Sequence, residues 1–140
     1  MARKGRRIAF DYGDVRIGVA ICDPDGIIAT PIATLQSKNP NLKSEIAALL
    51  SVYEPVKAYV GNPKLLNGEE GSAVAKVLTF TEFLTANFDL PITLVDERLT
   101  TVTAAKKLQD SGVSAKEAKS LIDAAAAVAI LEQGLANENH

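Results

Sequence analysis

The stretch RIAFDYGDVRIGVAIC, residues 7–22, decides the architecture. Arg7 to Asp11 reads as a strand, and Arg16 to Cys22 as a second one, because both are short β-rich runs bounded by turn residues. Asp23-Pro24-Asp25-Gly26 follows as a turn, with Pro setting φ and Gly accepting positive φ. A third strand is expected over about Ile27 to Leu35. Connections this short make the three strands an antiparallel meander. Asn39-Pro40 then looks like a helix N-cap with Pro at the first helical position. Leu42, Ile46, Leu49, Leu50 and Tyr53 carry helical spacing up to Pro55. Val56 to Val60 reads as a short buried strand, and Gly61 to Gly71 as a loop. Ser72 caps a helix presenting Val74, Val77, Leu78, Thr81, Leu84 and Phe88. Pro91 to Val95 is a strand. Thr100 or Thr101 starts a helix to about Gln109. Ser114 and Glu117 form a capping box for a last helix to about Leu135. The order predicts an α/β protein: a five-stranded mixed sheet, three antiparallel strands and then parallel ones, with helices on both faces.

The 140 residues suit one domain, 1–140 with a core over about 7–135. The longest apolar run, Ala124 to Leu131, is too short to cross a bilayer, so no membrane partner is expected. The basic start, Arg3-Lys4-Gly5-Arg6-Arg7, is followed by too short an apolar segment for a signal peptide, so a cytoplasmic location is expected. Cys22 is the single cysteine, which excludes an internal disulfide and a Cys-based zinc site. It reads as a small core residue. His140 is the only histidine and is terminal, which argues against a Ser-His-Asp triad. Net charge is −2, unlike a non-specific nucleic-acid coat protein. Arg3, Lys4, Arg6, Arg7, Lys106, Lys107, Lys116 and Lys119 are local cations that can contact phosphate or simply face solvent.

Three carboxylates lie where charge is costly. Asp11 ends the run Ile8-Ala9-Phe10. Glu97 ends Ile92-Thr93-Leu94-Val95-Asp96. Asp123 stands inside Leu121-Ile122-Asp123-Ala124-Ala125-Ala126-Ala127-Val128. Asp11 and Glu97 close the first and last strands, and open α/β sheets bind ligands at that edge. Asp123 shares a helix face with Ala126, Ala127 and Ile130, small enough to bring the helix close to the sheet. A divalent cation neutralises three converging acids. Each acid also has a plain structural reading: Asp11 as a turn residue, Glu97 paired with Arg98 or Arg16, Asp123 as a buried hydrogen-bonded acid. Strand alternation alone does not choose Glu97 over Asp96.

Asp11-Tyr12-Gly13, Arg16-Ile17-Gly18-Val19-Ala20 and Ala29-Thr30-Pro31 resemble the opening of the YqgF/RuvX family. Gly61-Asn62-Pro63 with Asn67-Gly68 is similar to its central loop, Asp96-Glu97-Arg98-Leu99-Thr100-Thr101 to its most specific signature, and Ile122-Asp123-Ala124-Ala125-Ala126-Ala127 to its closing acidic motif. The resemblance runs from about Arg7 to Leu135. It implies an RNase H-like fold related to Holliday-junction resolvases, and a candidate nuclease in maturation of the 5′ end of pre-16S rRNA. It implies that Asp11, Glu97 and Asp123 are the catalytic acids and metal ligands. Family members commonly carry Thr-Lys or Ser-Lys after Asp-x-Gly. Asp14-Val15 stands here instead, which removes a phosphate-facing cation and adds a carboxylate.

The reaction expected is metal-dependent phosphodiester hydrolysis, with one or two Mg²⁺ or Mn²⁺ ions held by oxygen ligands. Arg16, Arg98 and Lys64 are the candidate phosphate contacts. Arg98 also reads as a structural partner of Asp96, Thr100 and Thr101 as caps, and the glycines near Lys64 as turn residues. The expected partner is nucleic acid, structured RNA or a DNA junction. Alternatives are a junction resolvase, which acts as a homodimer on symmetric DNA, and a non-catalytic RNA- or ribosome-binding factor. An ATPase of the actin/sugar-kinase type is disfavoured, because 140 residues do not supply two domains around a nucleotide.

Overall fold

The computed structural model describes residues 5–62, 72–96 and 115–138, and of 72–73 and 115–124 the helical backbone alone. The strands are β1 (Arg7–Tyr12), β2 (Arg16–Cys22), β3 (Ala29–Gln36), β4 (Lys57–Asn62) and β5 (Ile92–Asp96). The helices are α1 (Leu42–Tyr53), α2 (Ser72–Asn87) and α3 (Ala115–Glu138). The sheet order is β3-β2-β1-β4-β5. β1, β2 and β3 pair antiparallel, while β4 pairs parallel with β1 and β5 with β4. The mixed sheet matches the expectation from pattern. Within it, β4 lies between β1 and β5.

Strand alternation separates large side chains from small ones. Ile8 and Phe10 of β1, with Ile17, Val19 and Ile21 of β2, face α1 and α2. There they meet Ile46, Val77, Phe80 and Leu84. Phe10 and Phe80 pack edge-on, with ring centroids 5.7 Å apart, a favourable aromatic geometry. The other face carries Ala9, Ala20, Cys22, Tyr59 and Val95, which pack on Ala127, Ile130 and Leu131 of α3. Ala9, Ala20 and Ala127 are fully buried. Small residues on both sides bring α3 close to the strands.

Several boundaries move for local reasons. Ile27 and Ile28 lie outside β3. Their N–H groups donate to Oδ1 of Asp23, at 2.8 and 2.6 Å, so they belong to the turn. These bonds, that from Ile28 foremost, hold the Asp23 carboxyl below its ordinary value. Asn39 does not cap α1 directly. Its Oδ1 accepts the Asn41 N–H at 2.8 Å and its Nδ2 donates to Glu45 at 2.8 Å. That side-chain turn delays the helix to Leu42. β4 extends two residues beyond the expected end, to Asn62, taking in Gly61. On α2, Phe80 is buried and Leu78 is 41% exposed, so the expected face was rotated by part of a turn. Residues 63–71, the helix expected over 100–109 and Ser114 lie outside the described residues. Among the described residues no helix is long and apolar enough to cross a membrane.

Phe80→Ala is expected to cost about 3–5 kcal/mol by emptying the centre of the larger core. Leu78→Ala, two residues away, is expected to change stability by about 0.5 kcal/mol. Urea unfolding of both variants measures the contrast.

Candidate active site

Asp11 sits in β1 one residue before its end, half-buried, and pairs with Gly18 of β2. It is a strand residue rather than a turn residue. Its neighbour Ala9 packs against α3, and alternation puts Asp11 on that same face. Phe10 pairs with Val60, so the β1–β4 register carried on by one residue sets Asp11 level with Gly61. Gly61 pairs in turn with Val95 of β5. The row across the sheet on the α3 side therefore reads Gly18, Asp11, Gly61, Val95. A glycine flanks the carboxylate on each side, and neither contributes a side chain to the row. Two strand spacings, roughly 10 Å, separate Asp11 from β5.

The same alternation disposes of one ambiguity. Val95 belongs to the core under α3, whereas Ile92 packs with α1 and α2. Asp96, four residues after Ile92, has the Ile92 parity and so lies on the opposite face from Asp11. Arg16 opens β2, where its carbonyl accepts the Gly13 N–H at 3.0 Å. It has the parity of Gly18 and Ala20, which places it on the Asp11 face, one pleat nearer the strand ends. It pairs with Gln36 of β3. Position 123 falls in the first half of α3. Helical period places it on the stripe of 127, 130 and 134, the stripe whose buried members Ala127 and Ile130 meet the sheet. Glu97, Arg98 and Lys64 lie outside the described residues.

A model of the RuvX family, described as "Holliday junction resolvase", matches residues 5–137. This chain belongs to the RuvX family. It is 51% identical over 97% of its length to a Streptomyces coelicolor protein named "Putative pre-16S rRNA nuclease", of which it covers 83%. A Mycobacterium ulcerans protein of the same name is 42% identical, over 94% of this chain and 79% of that one. Among solved structures, T. thermophilus RuvC in complex with a Holliday junction substrate superposes with a TM-score of 0.63 at 15% identity, covering 96% of each chain. The Fowlpox virus resolvase in its junction complex gives 0.58 at 14% identity, over 96% of this chain and 99% of the other. The RuvX chain thus has the RNase H-like fold of the RuvC-like resolvases.

Asp14, the extra carboxylate beside Asp11-Tyr12-Gly13, has a partner. Asp14 Oδ1 lies 2.8 Å from Lys76 Nζ on α2. That ties it to the helix layer opposite α3, away from the Asp11 face. The hydrogen bond to Asp14, followed by its charge, holds the Lys76 ammonium above the ordinary lysine value. The turn is braced a second time: Ser37 Oγ donates to the Gly13 carbonyl at 2.5 Å, and Ser37 N–H to that of Val15 at 2.9 Å. A shallow cleft of about 420 Å³ opens beside it, lined by Asp14, Val15, Gln36, Lys38 and Asn39. Exposed Lys38 is a cation near the strand ends that pattern did not single out, because one lysine after a strand carries no motif. Arg7 is corrected the other way. Expected among the phosphate-contacting cations, it is 3% exposed and bound to Glu138 at the far end of β1.

With Asp14 committed to Lys76, Asp14→Asn is expected to return the Lys76 titration toward the ordinary lysine value while leaving Mg²⁺ binding unchanged. Nitrogen-detected NMR of the lysine ammonium over pH, followed by a Mg²⁺ titration, measures both. Loss of the Mg²⁺ response would assign Asp14 to the metal.

Proposed function

We propose that this chain is a metal-dependent phosphodiester hydrolase that acts on structured RNA in processing the 5′ end of pre-16S rRNA, as one domain working in the cytoplasm. Asp11 carries the reading. It is a half-buried carboxylate near the strand ends, flanked in its row by Gly18 and by Gly61, neither of which carries a side chain. Asp11, Glu97 and Asp123 are the proposed acids. The helix stripe puts position 123 on the side of α3 that meets the sheet.

An all-oxygen carboxylate set fits Mg²⁺ or Mn²⁺, hard cations that favour such donors. Bound there, the ion supplies charge neutralisation and an acidified water. The protein residues do the rest. Asp11, Glu97 and Asp123 would hold the ion, while the strand pairing fixes Asp11 beside Gly18. Arg16, on the Asp11 face, offers a planar fork to phosphate oxygens. Arg98 and Lys64 are proposed as further phosphate contacts. The family description and the resolvase fold favour a second reading, a four-way DNA junction cut by a homodimer.

Asp11→Asn, Glu97→Gln and Asp123→Asn are each expected to lower cleavage at least about a hundredfold with the fold intact, and a chelator to do the same to the wild type. Gly61→Val is expected to lower cleavage by placing a branched side chain in the row beside Asp11. The assay offers precursor RNA, single-stranded RNA and a four-way DNA junction in parallel with Mg²⁺ or Mn²⁺. Full activity in Asp11→Asn overturns the assignment, and cleavage of the junction alone transfers it to DNA.

A further inference from the structure

The end of α3 remote from the site is built with more care than a surface helix terminus needs. Arg7, at the start of β1, is almost fully buried. Its Nη2 donates to Glu138 Oε1 at 3.4 Å, and its Nε lies 3.3 Å from Oε2, near enough for the ion pair but out of line for a hydrogen bond. Its Nη1 donates to the Gly5 carbonyl at 2.6 Å. The Tyr59 hydroxyl donates to Glu138 Oε2. Lys57 Nζ lies 3.9 Å from Oε1 and 5.2 Å from the Tyr59 ring centre. Gly134, one turn before Glu138, rests on that ring: a Cβ there would stand 2.8 Å from three of its carbons. A helix turn and its last carboxylate thus grip one buried tyrosine and one buried arginine.

The remainder of the described α3 interface is apolar. Ala127, Ile130 and Leu131 pack with Ala9, Ala20, Cys22, Tyr59 and Val95, and apolar burial is non-directional. Among the described residues, the directional contacts of α3 with the sheet lie at the far end. A slip by one residue moves the helix ~1.5 Å along its axis and turns it by roughly 100°. Position 123 lies on the Gly134 stripe, about three turns earlier. One continuous helix, Ala115–Glu138, joins the two positions.

We propose that Glu138 is a positioning residue for the site. Held by Arg7 and Tyr59, it sets the axial and rotational register of α3 and thereby the placement of Asp123 against Asp11. This rests on the reading of Asp11 and Asp123 as acids of one metal site. Arg7 and Glu138 touch no reacting atom and act only through the helix.

The experiment titrates Mn²⁺ into the full chain by calorimetry and measures kcat and KM for precursor RNA. It compares wild type, Glu138→Gln, Glu138→Asp, Tyr59→Phe and the exposed control Glu132→Gln. Glu138→Gln is expected to weaken Mn²⁺ binding and to lower kcat by about tenfold, the lower end for groups that orient metal ligands, with KM unchanged. Tyr59→Phe, which removes one hydroxyl, is expected to give a smaller effect of the same kind. Glu138→Asp, which keeps the charge on a shorter arm, should lie between Glu138→Gln and wild type. Glu132→Gln should match wild type. Wild-type Mn²⁺ affinity and kcat in Glu138→Gln with only a lower melting temperature overturn the proposal, leaving a plain anchor. If Glu138→Gln does not fold, Tyr59→Phe decides by the same criterion. Equal Mn²⁺ binding in wild type and Asp11→Asn would instead sink the metal-site reading itself.

Discussion

Strand β1 turns large side chains to one side of the sheet and small ones to the other, and the molecule is organised around that division. Ile8 and Phe10 anchor the broad core under α1 and α2, while Ala9 leaves room for α3 to press against the other face. The driving force is ordinary burial, about 1.5–3 kcal/mol for a side chain the size of Phe10. Its consequence is less ordinary. The small-residue face continues to the strand ends, where Gly18 and Gly61 flank Asp11. The small residues that admit the helix and the glycines that flank the carboxylate belong to one face of the sheet.

Two fastenings hold this arrangement at opposite ends. At the strand ends the β1–β2 turn is tied to β3's exit by Ser37 and to α2 by the Asp14–Lys76 pair. The second bond is an exposed ion pair, of a class that stabilises little by itself. It places the Asp14 carboxylate beside the layer away from Asp11. At the strand starts, Arg7, Tyr59 and Glu138 form a largely buried cluster. Burying an ion pair gains little net stability, yet removing one partner of such a pair costs about 3–5 kcal/mol because it strands the other. Such a cluster therefore specifies one helix position more than it strengthens the fold. Burial also raises the Tyr59 hydroxyl pKa, reinforced by the Glu138 carboxylate that accepts its proton. The tyrosine stays neutral and keeps donating.

The amino-acid sequence by itself determined the order of the described elements, the antiparallel meander and the parallel return. These are written in local pattern: alternation over Arg7 to Cys22, a Pro-Gly turn, helical spacing in α1, small residues in α3. It also singled out Asp11 as a charge ending an apolar run. Where it failed, competing contacts were non-local or invisible to periodicity. Asp23 drew Ile27 and Ile28 out of a strand, Asn39 delayed a helix, and Phe80 rather than Leu78 met Phe10. Tertiary structure alone decided that β4 lies between β1 and β5, that Gly61 is the residue between Asp11 and the end of β5, and that Asp96 has the wrong face. It alone turned Arg7 from a surface cation into a buried partner of a residue 131 positions away, and gave Asp14 to Lys76. The physical reason is common to all of these. Sequence pattern reports which side of an element is apolar, whereas sheet order and charge pairing depend on which elements become neighbours, and that is settled only when the layers pack.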